Sequence, residues 1–532
     1  MYDILIKNSI IIDGAKNSKY KADVAIYDGR IEKIKREINP ARAKKVINAE
    51  GLYLTPGFID LNNHSDTYLT LFTMPGLESL LRQGITTILG GNCGSSLAPL
   101  ISAEALKAIQ KWTDTAQINL NWLTFEEFIN VLGRVKLGVN FASLVGHSTL
   151  RRGLLGDEYR EIKSRELKIM ANMLKIAMKQ GAFGLSTGLV YSHAKVATTK
   201  EIIELAKIVK SFDGLYTTHV RGEAEELIPA IEETILIARK TGVNTEISHL
   251  KAMGENHWPN MKKAIDLIEA ENLPAGKTGK ANINFDTYPY TVTGSVLYIL
   301  LPDWVAEGGK AQLLKRLKDP VIKAKVIKEM QEKKAYEYDK IIVAMSPISK
   351  SFIGRKITEI AKAQETSIEE AIINMLLISQ ARINVFIDTL SEKNVKMGIS
   401  SSLSFIASDG AGYDINYSKT KNDLVHPRCF GAFPRFLRKY VEDEHVISWE
   451  EAIYKITGGP AQKLGLKDRG LIKKNYWADL VLIDSEKIRD KATFENPYQF
   501  PEGIEYVLVN GEIAVETGLP TGKRTGKVLK RT

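Results

Sequence analysis

Leu215-Tyr216-Thr217-Thr218-His219, a segment of helical period over 225–241, and Thr245-Glu246-Ile247-Ser248-His249 form one unit of apolar run, crossover and second run. Both runs end on a histidine. Runs of four to six apolar residues have the length of buried strands, and a helix between two of them returns the chain parallel to the first. The alternation continues on both sides. The other runs are Phe58-Ile59-Asp60-Leu61, Thr86 to Leu89, Asn140 to Val145, Ala182-Phe183-Gly184-Leu185, Asn282-Ile283-Asn284-Phe285 and Phe405-Ile406-Ala407-Ser408. Helical segments at 165–180 and 202–211 lie between several of them. Eight strands interleaved with helices predict an α/β chain with a (β/α)8 TIM-like barrel.

Outside the barrel the pattern changes. Short strands with Asp-Gly turns fill the first sixty residues, and a similar set recurs at Ala478 to Asp484 and Glu505 to Glu512. The expectation is a small β-sandwich domain built from both chain ends, residues 1–58 and 470–532, around a barrel spanning 59–469. The spacing breaks between Tyr290 and about Lys340, which reads as a partly helical insertion after the seventh strand, about 290–340. The turn Pro274-Ala275-Gly276-Lys277-Thr278-Gly279 contains Gly-Lys-Thr, but Glu271 occupies the place of the first P-loop glycine, so a phosphate loop is excluded.

Apolar content of 44% and charged content of 26% in 532 residues are those of a globular protein. No apolar run approaches the roughly 20 residues of a membrane helix, so no membrane association is expected. Two cysteines form no disulfide framework, and the start has no signal-peptide pattern. A cytoplasmic location follows as the expectation. The net charge of +10 is scattered among acids, which argues against nucleic acid and suits a small anionic substrate. Oligomeric state is not readable from the sequence.

The rim where barrel strands end is where such folds keep their chemistry. Four of the eight histidines fall there, His64, His147, His219 and His249, with Cys93, Tyr191, Tyr288 and Asp409. Alone, Cys93 in Gly90-Gly91-Asn92-Cys93-Gly94 reads as a small buried hydrophobe, and Asp409 as a helix cap. Together they read as a metal site. Cysteine and histidine are borderline-soft ligands suited to zinc, and a nearby carboxylate can move a proton.

The motifs Pro56-Gly57-Phe58-Ile59-Asp60, Gly91-Asn92-Cys93-Gly94, Gly184 to Ser192, Thr218-His219-Val220-Arg221, Ser248-His249-Leu250-Lys251, Asp286-Thr287-Tyr288-Pro289-Tyr290, Ser408-Asp409-Gly410 and His426-Pro427-Arg428 resemble the amidohydrolase superfamily. Within it the chain resembles the N-acyl-D-amino-acid deacylases, or D-aminoacylases, over nearly its whole length. The resemblance implies zinc-dependent hydrolysis of N-acyl-D-amino acids. It implies one tightly bound Zn²⁺ on Cys93, His219 and His249, Asp409 as general acid and base, and Tyr191, Lys251, Tyr288, Ser295 and Arg428 near the substrate. His64 would belong to a second, weak metal position. The family motif there is His-x-His, whereas this chain reads Asn62-Asn63-His64, so the second position is expected to be weak or empty. Tyr191-Ser192-His193-Ala194 also departs from the family's usual Pro-Gly after Tyr-Ser. An apolar D-side chain is expected over D-glutamate. The competing readings are a cyclic-amide hydrolase of dihydropyrimidinase or hydantoinase type and a catalytically impaired metal-binding homologue.

Overall fold

The eight apolar runs are strands in the computed structural model, which describes residues 1–531 apart from 103–104, 107–117, 273–280, 334–335 and 420–422. They are β1 (Phe58–Asp60), β2 (Ile85–Gly90), β3 (Asn140–Ser143), β4 (Gly184–Gly188), β5 (Leu215–His219), β6 (Asn244–Ile247), β7 (Ile283–Thr287) and β8 (Ser404–Ile406). Neighbours pair in parallel, in the orders β1-β2-β3 and β4-β5-β6-β7-β8. Val145–Gly146, just after β3, pairs in parallel with β4 and joins the two groups. The turn at Pro274 to Gly279 lies outside the described residues.

Buried carboxylates pin the strand ends. Asp60, at the end of β1, accepts hydrogen bonds from Ser408 N (2.9 Å), just past β8, and from Asn63 Nδ2 (2.9 Å). A parallel bridge couples Asn63 to Gly410, and His64 N–H donates to Gly410 O at 2.7 Å. These contacts fix the loop carrying Asp409 against the loop carrying His64.

The crossover helices follow from their apolar spacing. Phe125–Val135 buries Phe125, Phe128, Ile129 and Leu132, one stripe at three- and four-residue spacing, and starts with a capping box between Thr124 and Glu127. Ser164–Lys179, Thr199–Ser211, Leu227–Thr241 and Asn260–Glu271 cross over similarly between later strands.

Both chain ends enter one nine-stranded sheet. Tyr2–Ile11 lies parallel to Ala43–Asn48 and to Tyr53–Pro56, and Leu480–Ile483 pairs antiparallel with Tyr53–Pro56. Ile4, Ile6, Val24, Ile26, Leu54, Leu480, Leu482 and Leu508 form its apolar layer.

The insertion after β7 is longer than the spacing predicts. It does not end near residue 340 but runs on through a three-stranded antiparallel sheet of Val292–Val296, Asn384–Asp388 and Ile341–Met345, with Asn384–Asp388 in the middle. Ile357–Ala363 and Ile368–Ile378 are helices within it, and it has its own apolar cluster including Leu297, Val343, Leu376, Val385 and Ile387. Its second half alternates helix and apolar run just as β1 to β8 and their crossovers do. Period alone cannot separate the two, and only the antiparallel pairing does.

Candidate active site

The ends of β2, β5, β6 and β8 converge. Cys93, His249 and Asp409 all hold left-handed backbone, with φ of 50°, 39° and 48°. Non-glycine residues are uncommon in that region, and each such residue costs about 1–3 kcal/mol where it is not locally relieved. The sharp turns aim these side chains across the strand ends. Close backbone approach is part of the arrangement: a Cβ on Gly188 would fall 2.3 Å from Cys93 O.

Cys93, His219 and His249 are all buried, and their ligand atoms lie within 4.8 Å of one another. Cys93 Sγ is 3.4 Å from His249 Nε2, and the two imidazoles meet edge to face at 4.4 Å. His219 Nδ1 is buried without a hydrogen-bond partner among the described residues, and Nε2 has only the Glu223 carboxylate at 3.4 Å. Burial, then Asp409, pushes the Cys93 thiol well above its usual range. A thiolate there therefore needs a cation beside it. An unpartnered imidazole nitrogen, and a second one 3.4 Å from a buried sulfur, fit a zinc ion.

Asp409 lies between two partners. His64 Nε2 is 3.0 Å from Oδ1, and Arg428 Nη1 is 2.8 Å from Oδ2. Burial opposes its charge, but Arg428 outweighs it and, with the hydrogen bond to His64, holds the carboxyl well below the usual range. Burial pushes the His249 imidazole down to about 4, helped by Lys251, so it stays neutral and able to ligate.

Lys251 donates to Glu223 and approaches His249 Nδ1 at 2.8 Å. Glu223 Oε1 also lies 3.3 Å from His249 Nδ1 and 3.4 Å from His219 Nε2. Burial opposes the Glu223 charge, yet His219 and Lys251 hold its carboxyl well down. A carboxylate on the far nitrogen of a ligating histidine fixes the ring's tautomer and orientation. Sequence reasoning misses Glu223. It sits four residues past His219 among other acids, Glu225 and Glu226, and only the fold singles it out.

One cavity gathers Cys93, His64, His219, His249, Tyr191, Lys251, Ser295, Asp409 and Arg428. Ser295 comes from the insertion, and the Tyr191 ring packs 5.3 Å from that of His219. Tyr288 does not line this cavity. Its ring packs 4.9 Å from the Arg428 guanidinium and 6.0 Å from Lys251 Nζ, so it backs the two cations. His147 does not join either. It opens the helix His147–Leu155, and its Nε2 pairs with buried Glu201 at 2.8 Å beside Arg151. Asn62 points at Asp286, Nδ2 to Oδ1 at 3.4 Å, and its own Oδ1 is buried without a partner. Burial pushes the Asp286 carboxyl up to about 8.

An α/β scaffold with a Cys-His-His cluster beside an ionised carboxylate defines the class: a metal-dependent amidohydrolase that acts on non-peptide carbon–nitrogen bonds. A model of the amidohydrolase family matches residues 425–515. The D-aminoacylase of Alcaligenes xylosoxydans xylosoxydans is 32% identical over 531 residues, covering 100% of this chain and 98% of its own. A D-aminoacylase structure, described for a binuclear metal centre with one-metal activation and second-metal attenuation, superimposes with a TM-score of 0.83 at 29% identity, covering 100% of both chains. The N-acyl-D-glutamate deacylase of Bordetella bronchiseptica, solved with zinc and a phosphonate mimic of the tetrahedral intermediate, gives a TM-score of 0.82 at 28% identity over 99% of both chains. The chain belongs to the D-aminoacylase family of N-acyl-D-amino-acid deacylases.

Proposed function

We propose that this chain hydrolyses the amide bond of N-acyl-D-amino acids, releasing a carboxylate and a D-amino acid, with one zinc ion on Cys93, His219 and His249. The buried Cys-His-His cluster beside Asp409 carries this reading. The fold it assumes is a closed (β/α)8 barrel (59–469) with a β-sandwich from both chain ends (1–58 and 470–532). The parallel order β1 to β8, the Asn63–Gly410 bridge and the shared nine-stranded sheet support it.

Zinc bound there supplies a Lewis acid that polarises the scissile carbonyl and lowers the pKa of water. The chain supplies the rest. A carboxylate has about four acceptor positions, so Asp409 keeps lone pairs free while His64 and Arg428 hold it. Asp409 takes a proton from the attacking water and returns it to the departing nitrogen. Arg428 Nε is buried without a hydrogen-bond partner among the described residues. It offers a free donor to the substrate carboxylate, with Lys251 as the second cation. Tyr191 is at hand to steady the developing oxyanion. The substrate is a small anion. Among the described residues no helix is long and apolar enough to cross a membrane. Both cysteines are free and buried, which suits a reducing compartment, and we infer a cytoplasmic enzyme.

Zinc-loaded protein is expected to release amine from N-acetyl-D-amino acids, to spare the L-enantiomers and to leave dihydrouracil closed. Chelation should abolish turnover and one equivalent of zinc should restore it. No turnover on any D-substrate overturns the reading, and opening of dihydrouracil instead points to a cyclic-amide hydrolase.

The second metal position is weak or empty in this reading. An amide oxygen is a poor zinc ligand, and Asn62 replaces the first histidine of the pair while His64 is turned to Asp409. Asn62→His is expected to raise zinc from one to two equivalents at high metal and to make excess zinc inhibitory. A stoichiometry fixed at one in the variant, read by elemental analysis, rejects Asn62 as the cause.

A further inference from the structure

The insertion supplies one wall of the cavity, and that wall carries an amide the mechanism does not use. Val292–Val296 pairs antiparallel with Asn384–Asp388, Gly294 opposite Phe386 and Val296 opposite Asn384. A Cβ built on Gly294 would lie 3.7 Å from Arg428 Nη2 and 3.9 Å from the Phe386 ring. This face of the ribbon therefore stands against the cation that would take the substrate carboxylate. Asn384 is two residues from Phe386 on the same face, roughly 7 Å along the strand.

Asn384 lines the cavity and is 7% exposed. Its Oδ1 has no hydrogen-bond partner among the described residues. Its Nδ2 reaches Met345 Sδ at 3.8 Å, and a thioether is a weak acceptor. Buried amides are nearly always paired, so an orphan facing a substrate cavity calls for a ligand. Met345, Phe386, Leu424 and Val425 make the surrounding wall apolar. Lys251 and Arg428 are the only lysine and arginine among the described residues lining the cavity, and each already faces a carboxylate. Among the described residues of the wall around Asn384, no lysine or arginine stands free to neutralise a second substrate charge.

We propose that Asn384 determines side-chain specificity: its amide receives the neutral, hydrogen-bonding end of a D-side chain about as long as that of glutamine. The inference rests on the N-acyl-D-amino-acid reading above. It replaces a purely apolar preference with a neutral polar one. A site built to hydrogen-bond a substrate group discriminates against the analogue that lacks it, because its own buried group is then left unpaired.

The test uses three near-isosteres, N-acetyl-D-glutamine, N-acetyl-D-methionine and N-acetyl-D-glutamate, with the zinc-loaded full chain. Wild type is expected to show a kcat/KM for the glutamine derivative at least about tenfold above the other two. Asn384→Leu should lower the glutamine-to-methionine ratio about tenfold or more. Asn384→Asp, close in shape, should still accept from the glutamine amide and should raise the glutamine-to-glutamate ratio. Preference of wild type for methionine or glutamate overturns the proposal, as does an unchanged glutamine-to-methionine ratio in the leucine variant. Absence of turnover on every D-substrate overturns the hydrolase reading itself and this inference with it, a result distinct from turnover without the ratio change.

Discussion

Cys93→Ala is expected to strip the protein of its zinc and of its activity together. Structural zinc sites bind with about 10–16 kcal/mol in all. Divided over four ligands, one thiolate is worth roughly 3 kcal/mol, about 10²-fold in affinity. Two imidazoles remain in the variant, and alanine offers no donor to replace the sulfur. Zinc per chain should fall from near one to well below it after dialysis against a mild chelator, and turnover should fall in proportion. The backbone is not the cause: cysteine and alanine both carry a Cβ, so the strain at φ 50° is shared. Cys429→Ala provides the contrast. That thiol is also buried, but it sits near the Ala411 amide at 3.5 Å and away from the imidazole cluster. It should keep its zinc. A Cys93→Ala protein that retains one tightly bound zinc removes Cys93 from the ligand set.

How much of this is written in the chain depends on the kind of signal. The eight strands are legible because each is an apolar run bounded by a change of period, and the candidate site is legible because Cys93, His219, His249 and Asp409 stand where those runs stop. The same rule misleads at His147. It too follows a strand, but its helix begins at once and turns the ring toward Glu201. Glu223 shows the opposite failure. It belongs to no run and no motif, and its role exists only because the turn after β5 folds back over Lys251 and His249. The insertion's true extent was hidden for a third reason. Ile341–Met345 and Asn384–Asp388 have the composition of the parallel strands β1 to β8, and composition does not encode which edge a strand pairs with. Asn384 becomes conspicuous only once its register opposite Val296 puts it on the cavity face.

Asp409→Asn is expected to keep zinc and lose catalysis. The substitution preserves shape and the left-handed turn, since asparagine tolerates that backbone about as well as aspartate. It removes the charge that, in the proposed mechanism, accepts and returns the proton. General acid–base catalysis contributes about 10²–10⁴-fold, and the proposed mechanism gives Asp409 both halves of the proton transfer, so kcat should fall by about 10³-fold or more with zinc content unchanged. A second consequence follows from the ion pair. Arg428 is 8% exposed and faces Asp409 at 2.8 Å. Breaking a buried pair from one side leaves an uncompensated charge and costs about 3–5 kcal/mol. The variant should therefore melt below wild type. Added acetate, or a substrate carboxylate, should recover part of the loss by binding Arg428. That recovery separates the two roles: stability returns with the anion while turnover does not. Full activity in zinc-loaded Asp409→Asn removes Asp409 as the acid and base. A variant that loses zinc along with activity shifts Asp409 from proton carrier to metal ligand, and the single-zinc reading of Cys93, His219 and His249 would then be incomplete.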